Sequence, residues 1–400
     1  MIESLKEPYE KTGLWLEALK VNNEIIWVNP QIKRGNLPFN FKEGAKTNIA
    51  ALIINIPSHF RNRIPRKARL SLLAFSPPHQ RSAILGHVIF EDSKGRVYRD
   101  IDLKGVGYIL QALKGRTVII GNIEIERRRA TEPRALGIAY KSFVLTDIEY
   151  ARRLASLGVR THLPLAIIEL KELPDPDNPG RKISIEEAVK RKMIHEGEIP
   201  VIEVRAYSVK SRVQDLEIIS ADFSSRIVDT IIEGLFEIYQ KDIIENLVNI
   251  FEKERKRIST IGNFSSVQKR EAYLWWFTKE FAENLAIIHG NNLIHGFISG
   301  HNITLDAGIT DLDSMFGRRP KSDNDESLYI EEIESALFVL FHLIRSLGYL
   351  FIKESSITNN KFEKNFWDEA KKLFIKTYEN NCGDLVSAIL NKNKERILLH

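Results

Sequence analysis

Apolar residues along the first half of the chain come in short runs broken by turn residues. Leu70 to Phe75, Ile84 to Phe90, Val97 to Leu103 and Thr117 to Ile125 are rich in β-branched or aromatic residues. That pattern predicts strands. Ser93-Lys94-Gly95 predicts a hairpin turn between two of them. Thr146-Asp147-Ile148-Glu149 has the form of a capping box and predicts a helix over Ile148 to Leu157, stopped by Gly158. Leu163 to Leu170 and Val201 to Val204 return to strand. Between them L-P-D-P-D-N-P-G-R-K and a polar helix over Ser184 to His195 read as a linker or insertion, 171–200. Beyond Asp222 the apolar spacing becomes helical: Ser225 to Leu247, Lys269 to His289, Leu328 to Leu347 and Phe362 to Tyr378. Residues 1–60 carry apolar runs broken by Pro and Asn and read as an N-terminal extension. The expectation is an α+β chain, strand-rich over 61–204 and helical over 205–400.

One stretch of the helical half breaks that period. N-I-T-L-D and I-T-D-L-D flank Ala307-Gly308, and His295-Gly296 leads into both. A hairpin is expected over 295–313, with Asn302 opening its first strand and Asp311 on its second. An Asn amide oxygen and an Asp carboxylate near one point suit a hard cation that also carries nucleotide phosphates. Zinc does not suit the spacing, because the histidines here are not at helical intervals and no thiolate is near. His295 reads as a core histidine that fixes the loop by hydrogen bonds.

Composition narrows the class. The chain has 400 residues, 43% hydrophobic and 28% charged, which is ordinary globular usage and points to two or three packed units. No apolar run reaches the roughly 18 to 20 residues that span a bilayer. The start, M-I-E-S-L-K-E-P-Y-E-K, is neither a secretory nor a transit signal. A single cysteine, Cys382, excludes an internal disulfide framework. A cytoplasmic protein is expected, with no membrane partner. The net charge of +5 is partly local, in Arg61, Arg63, Arg66, Lys67 and Arg69 and again in Arg127 to Arg129. Such clusters attract polyanions. Without any nucleic-acid-binding pattern they read first as solvated faces, with nucleic-acid binding the weakest of the functional alternatives.

Four further residues carry candidate chemistry. Lys104, in D-L-K-G-V-G at a strand end, can bind phosphate oxygens as a point charge, although a lone strand lysine is usually a solvated one. Glu149 lies on the single helix of the first half and can pair with that lysine, Asp147 being the lesser candidate. Arg205 and Arg212, in V-R-A-Y-S-V-K-S-R, suit charge-assisted contacts to phosphate and equally suit a solvated edge. No nucleophile elbow, zinc-protease helix or P-loop pattern occurs in the sequence.

In order along the chain these pieces resemble the selenoprotein O (SelO) family of kinase-like protein adenylyltransferases, from about Arg81 to Asp311. L-K-G-V-G is similar to that family's L-K-G-x-G, and E-P-R-A-L stands where it has D-G-R-A-V. T-D-I-E-Y-A-R-R-L-A-S-L-G-V-R-T-H-L-P-L-A-I-I resembles its S-I-R-E-F helix and the L-G-I-P-T-T-R-A-L-A-L-V that follows. V-R-A-Y-S-V-K-S-R is similar to C-R-V-A-P-S-x-I-R, and H-G-F-I-S-G-H-N to H-G-V-L-N-T-D-N. The resemblance implies a protein-kinase-like bilobal fold with a β-rich N-lobe and a helical C-lobe. It implies that ATP is bound inverted, that Mg²⁺ or Mn²⁺ bridges the phosphates, and that AMP passes to a protein Ser, Thr or Tyr hydroxyl. It assigns nucleotide contacts to Arg81, Lys104, Glu132, Pro133, Glu149, Arg205, Arg212 and Asp311. It assigns the metal to Asn302 and Asp311, and the base position to His301.

The departures are specific. His301 stands where the family has an Asp; a neutral imidazole, with an ordinary pKa near ~6.5, can also accept a proton. The family's L-G-D-G-R-A is P-P-H-Q-R-S here, keeping Arg81 and losing both glycines, so the backbone cannot approach phosphate in the same way. Asp313 replaces the glycine of D-Y-G. A pseudokinase that binds nucleotide or a partner without transfer, and a phosphotransferase of ordinary kinase polarity, therefore remain as alternatives.

Overall fold

The computed structural model describes residues 14–32, 41–54, 64–74, 82–91, 96–109, 119–120, 123–124, 137–175, 178, 180–222, 225–358 and 360–399. Arg81, Glu132 and Pro133, the 93–95 turn and the Arg127 to Arg129 cluster lie outside these. The chain is mixed α+β, with an antiparallel sheet and a set of helices. It divides into two compact units, one drawn from 9–149 and 162–208, the other from 150–161 and 209 onward.

The first unit is built on a ten-stranded sheet. Its strands are β1 (Leu14–Lys20), β2 (Asn23–Val28), β3 (Ala51–Ile54), β4 (Arg69–Ala74), β5 (Ser82–Glu91), β6 (Val97–Lys104) and β7 (Tyr108–Ile109). A small separate ladder, β8 (Ile119–Ile120) with β9 (Ile123–Glu124), stands where one longer strand is expected. β10 (Ala139–Tyr140), helix α1 (Lys141–Ser156), β11 (Leu163–Leu170), β12 (Glu172–Pro174), β13 (Lys182–Ser184), helix α2 (Ile185–Lys190) and β14 (Pro200–Tyr207) follow. The order across the sheet is β2-β11-β14-β6-β5-β4-β1-β3-β7, with β10 beside β14. Among the described residues, β3 with β7 is the one parallel pair of this sheet. The described residues of the expected extension are thus part of the sheet: β1, β2 and β3 are strands in it, with Ala18, Ala51, Leu52 and Ile53 fully buried.

Two expectations change here. Helix α1 starts at Lys141, well before the expected capping box. Val144, Ile148, Ala151 and Leu154 recur at helical spacing and are all buried, so the apolar stripe carries the helix through Thr146. The Thr146 hydroxyl then donates to the Ser142 carbonyl one turn back, as an interior threonine does. The far end is as expected: Gly158 sits at φ 90 and Val159 N–H donates to Leu154 O at 3.0 Å, closing the helix. The polar helix expected over Ser184 to His195 shortens to α2, capped by Ser184 on Glu187 N–H. Around it the described residues of 171–200 fold onto the sheet, burying Leu173, Ile183, Ala188, Met193 and Ile194 in its core.

The second unit is helical: α3 (Val213–Asp222), α4 (Ser225–Ile250), α5 (Arg255–Thr260), α6 (Ser266–Gly290), α7 (Asp323–Ser346), α8 (Phe366–Asn381) and α9 (Gly383–Leu399). Helix α6 is its axis. A Ser265–Gln268 capping box starts it, and most of its length is buried. Trp276 stacks on Tyr239 of α4, Trp275 meets Phe366 and Phe281 meets Phe374 of α8. A short ladder of β15 (Leu293–Ile294) and β16 (Phe316–Gly317) frames the loop between α6 and α7. Among the described residues no helix is long and apolar enough to cross a membrane.

Candidate functional site

In the sheet unit the candidate residues meet on one face of two strands. β6 and β14 are antiparallel with Lys104 opposite Glu203 and Asp102 opposite Arg205. The two-residue period of a strand puts Asp102 and Lys104 on one side, and Glu203 and Arg205 on the same side. Arg205 Nε donates to Asp102 Oδ2 at 3.0 Å, and its guanidinium lies 5.3 Å from the Tyr207 ring centroid. Arg205 is 1% exposed, so the structure commits it to the interior rather than to a solvated edge. Gly105 follows at φ 91, where a Cβ would lie 2.6 Å from the Val201 carbonyl oxygen. The glycine of L-K-G is therefore required for β6 to end against β14.

The carboxylate that reaches Lys104 is Asp147, not the expected Glu149. Lys104 Nζ lies 3.7 Å from Asp147 Oδ1, and Asp147 is fully buried. Glu149, two residues along α1, is exposed. Two residues are about 200° around a helix, so with Asp147 inward Glu149 faces outward. The longer N-terminal course of α1 decides which of the two faces the sheet. His162, just before β11, brings Nε2 to 2.8 Å from Asp147 Oδ2 and 3.9 Å from Glu203 Oε1. Burial works to raise the Asp147 pKa, but the Lys104 ammonium, then His162 and Arg205, hold it well below the usual carboxylate range. Glu203 goes the other way: burial, then the Asp147 charge, push it well above. Burial lowers His162.

In the helical unit the backbone assembles the second group. The segment before α3 pairs with the loop after β15: Arg212 bridges Thr304, Leu305 N–H donates to Ser211 O, and Gln214 N–H to Gly300 O. Arg212 is thereby set beside the His301–Asn302 loop, and its N–H is capped by Asp215 Oδ2 at 2.9 Å. The expected hairpin is a single tight bridge, Ile303 with Ile309, rather than two strands. Thr310 N–H donates to Asn302 O at 3.0 Å and Thr304 N–H to Gly308 O at 2.9 Å. Asn302 therefore lies opposite the residue just before Asp311. Asp311 then leaves the extended course at φ 64, ψ 53, capping a 3₁₀ turn over Leu312–Ser314.

This loop is pinned from several sides. Glu332 of α7 accepts from His295 N–H at 3.1 Å and Gly296 N–H at 2.6 Å, and its Oε2 is 2.9 Å from His289 Nε2. Burial would raise Glu332, but His289, His295 and the backbone N–H keep it below its ordinary value. His295 Nδ1 accepts from Phe297 N–H, which places the proton on Nε2, where it donates to Thr310 O at 3.0 Å. Gly296 has φ 84, and a Cβ there would meet Ser314 O at 2.9 Å. Tyr273 and Asn284 of α6 donate to Leu305 O and Ala307 O, and Tyr239 donates to Asp306. Asn302, 3% exposed, donates Nδ2 to Phe297 O at 2.9 Å, which orients its amide. His301 and Asp311 are part-exposed.

His162, Glu203, Asp102 and Glu332 were not singled out from sequence. The available signal was a charge at an inward position: D-x-K and E-x-R inside apolar strands, and Glu332 in the Tyr329–Ile333–Ala336 stripe of α7.

No family model matches the chain, and no curated protein matches it. Among solved structures it is similar to a Toxoplasma gondii specific rhoptry antigen kinase domain, with a TM-score of 0.32 and 9% identity over 82% of this chain and 79% of that one.

Proposed function

We propose that this chain is an ATP-dependent nucleotidyltransferase of kinase-like, bilobal fold that moves AMP from ATP to a protein hydroxyl. The observation that carries the proposal is the ion pair between Lys104, at the end of a sheet strand and followed by a glycine whose place no larger residue can take, and the buried helix carboxylate Asp147. A lysine so held is a preformed cation for α- and β-phosphate oxygens. The sheet unit acts as the N-lobe and the helical unit as the C-lobe.

Arg212 binds phosphate. Asn302 and Asp311 hold Mg²⁺ or Mn²⁺. The donor set fits such an ion, because Asn302 Nδ2 is committed to Phe297 O, which turns Oδ1 to the acceptor role beside an Asp carboxylate, and both are hard oxygen donors. When bound, the ion neutralises charge on the phosphates. The acceptor hydroxyl oxygen bonds to the α-phosphorus, the bond to pyrophosphate breaks, and the hydroxyl proton passes to His301. Arg205 acts from the interior through Asp102, holding the β6–β14 register behind Lys104. Arg81, Glu132 and Pro133 complete the nucleotide contacts.

A second reading, a binding-only pseudoenzyme, is favoured by the burial of Arg205, which withdraws one expected phosphate ligand. Incubation with α- or γ-³²P-ATP, Mg²⁺ or Mn²⁺ and a cell extract separates the readings. Transfer of α-label, lost in Asp311→Asn, is expected. Asn suits the left-handed backbone there and removes only the charge. Transfer of γ-label alone means ordinary kinase polarity. No label, with ATP·Mg²⁺ raising Tm, means the pseudoenzyme.

A further inference from the structure

We infer that Asp147, His162 and Glu203 bind one divalent transition-metal ion of the zinc class inside the sheet unit, using none of the residues of the Asn302–Asp311 loop. One ligand atom from each residue lies within 4.8 Å of the others, and all three residues are buried. One imidazole and two carboxylates form a donor set typical of Zn²⁺ or Mn²⁺ and poorly suited to Mg²⁺.

The spacing fits. Bonds of about 2.0–2.1 Å to a tetrahedral ion put donors roughly 3.3 Å apart. The distances from His162 Nε2, 2.8 Å to Asp147 Oδ2 and 3.9 Å to Glu203 Oε1, bracket that value. Lys104 approaches the other Asp147 oxygen, Oδ1, so the ammonium and the ion use different atoms of one carboxylate.

Two side chains point to a ligand independently of the cluster's composition. Glu203 is 0% exposed and neither of its oxygens accepts a hydrogen bond, the Arg205 Nε standing 4.0 Å from Oε2; His162 Nδ1 is buried and likewise unserved, while its Nε2 lies against Asp147. A buried carboxylate without a donor is costly, and native interiors rarely leave one. Charge gives the same direction. Lys104 and Arg205 face Asp102, Asp147 and Glu203, an excess of one negative charge while His162 is neutral. A proton on Glu203, donated toward Asp147, would balance that charge but would still leave His162 Nδ1 and the second Glu203 oxygen unserved. A cation at the centre serves imidazole and carboxylates together.

The ion would fix the face of Asp147 that pairs with Lys104, so it acts on Lys104 by positioning and needs no turnover to be detected. The test is metal analysis of the untagged full-length chain by mass spectrometry, followed by titration of chelator-stripped protein with Zn²⁺, Mn²⁺ and Mg²⁺. About one tightly held ion per chain is expected, with Zn²⁺ or Mn²⁺ but not Mg²⁺ raising Tm. Glu203→Gln and His162→Gln, checked for native circular dichroism, should each weaken binding roughly tenfold or more. Asp311→Asn should retain the ion while losing transfer, which separates failure of this site from failure of the nucleotide reading. The inference is overturned if stripped wild type binds no Zn²⁺ or Mn²⁺ more tightly than Glu203→Gln. It is equally overturned if wild type holds no metal and Glu203→Gln raises Tm, the signature of a protonated glutamate.

Discussion

Two of the charged interiors of this protein are solved in opposite ways. Around Glu332 the helical unit offers backbone N–H groups and imidazoles, so the carboxylate is surrounded by donors and stays below its ordinary pKa. Around Glu203 the sheet unit offers other side chains, and the strand backbone is already used in the ladder. Its carboxylates compete for Lys104 and Arg205, and Glu203 is driven upward by burial and by Asp147. A loop has spare backbone donors and a sheet interior does not. Charge inside a loop network can be structural, whereas charge inside a sheet calls for an added cation or proton.

The largest test of the contrast is Arg205→Ala. It strands Asp102 in the interior and should cost about 3–5 kcal/mol in urea unfolding. Removing both charges with Asp102→Leu and Arg205→Met should recover most of that loss, because paired burial is far less costly than a lone charge. Glu332→Ala comes next, at about 3 kcal/mol, since it leaves two loop N–H groups without their carboxylate. A full cost in the Asp102/Arg205 double variant, or a negligible one for Glu332→Ala, would break the comparison.

Acidity should separate the regions by sign. Asp147 and Glu332 are depressed, so their stabilisation is present above the unfolded value near ~4 and is lost as pH falls through the folded pKa. Glu203 is raised, so the folded chain holds an extra proton and stability declines as pH rises from ~4.3 toward its folded pKa. Thermal melts in chelator across pH 3 to 8 should show Glu332→Gln flattening the acid limb and Glu203→Gln flattening the decline above it. The opposite assignment of the two limbs would refute this reading of the cluster.

The smallest effects are backbone ones. Lys192 in the sheet unit and Asn292 in the helical unit stand at φ 58 and φ 56. Lys192→Gly should gain up to about 1 kcal/mol, and Asn292→Gly less, because asparagine tolerates the left-handed region. Equal gains would mean that local conformation alone does not set these costs.

Much of this was legible in the chain itself. Period and turn residues located β4, β5, β6, β11 and the four long helices, because burial of one face writes itself into local spacing. The Gly158 stop is a local backbone event and was readable for the same reason. The start of α1 was not. Thr146-Asp147-Ile148-Glu149 has capping chemistry in any context, and only packing of Val144 and Ile148 against Ile167 and Val201 makes it a helix interior.

The candidate site divides along the same line. Local order placed Asn302 and Asp311 on one tight turn, since eight residues with a central Ala-Gly can hardly do otherwise. It also named Lys104, by its place at a strand end, though a lone strand lysine reads first as a solvated one. Its carboxylate partner was settled by the face that α1 turns inward, which chose Asp147 over Glu149. Whether Arg205 is a surface cation or a buried one was settled by the β6–β14 register, which set it against Asp102. Spacing along the chain fixes what a residue can do with its neighbours a few positions away. Partners far apart in the chain, such as Asp102 for Arg205 or Asp147 for Lys104, exist only once strands have chosen their register and a helix its face.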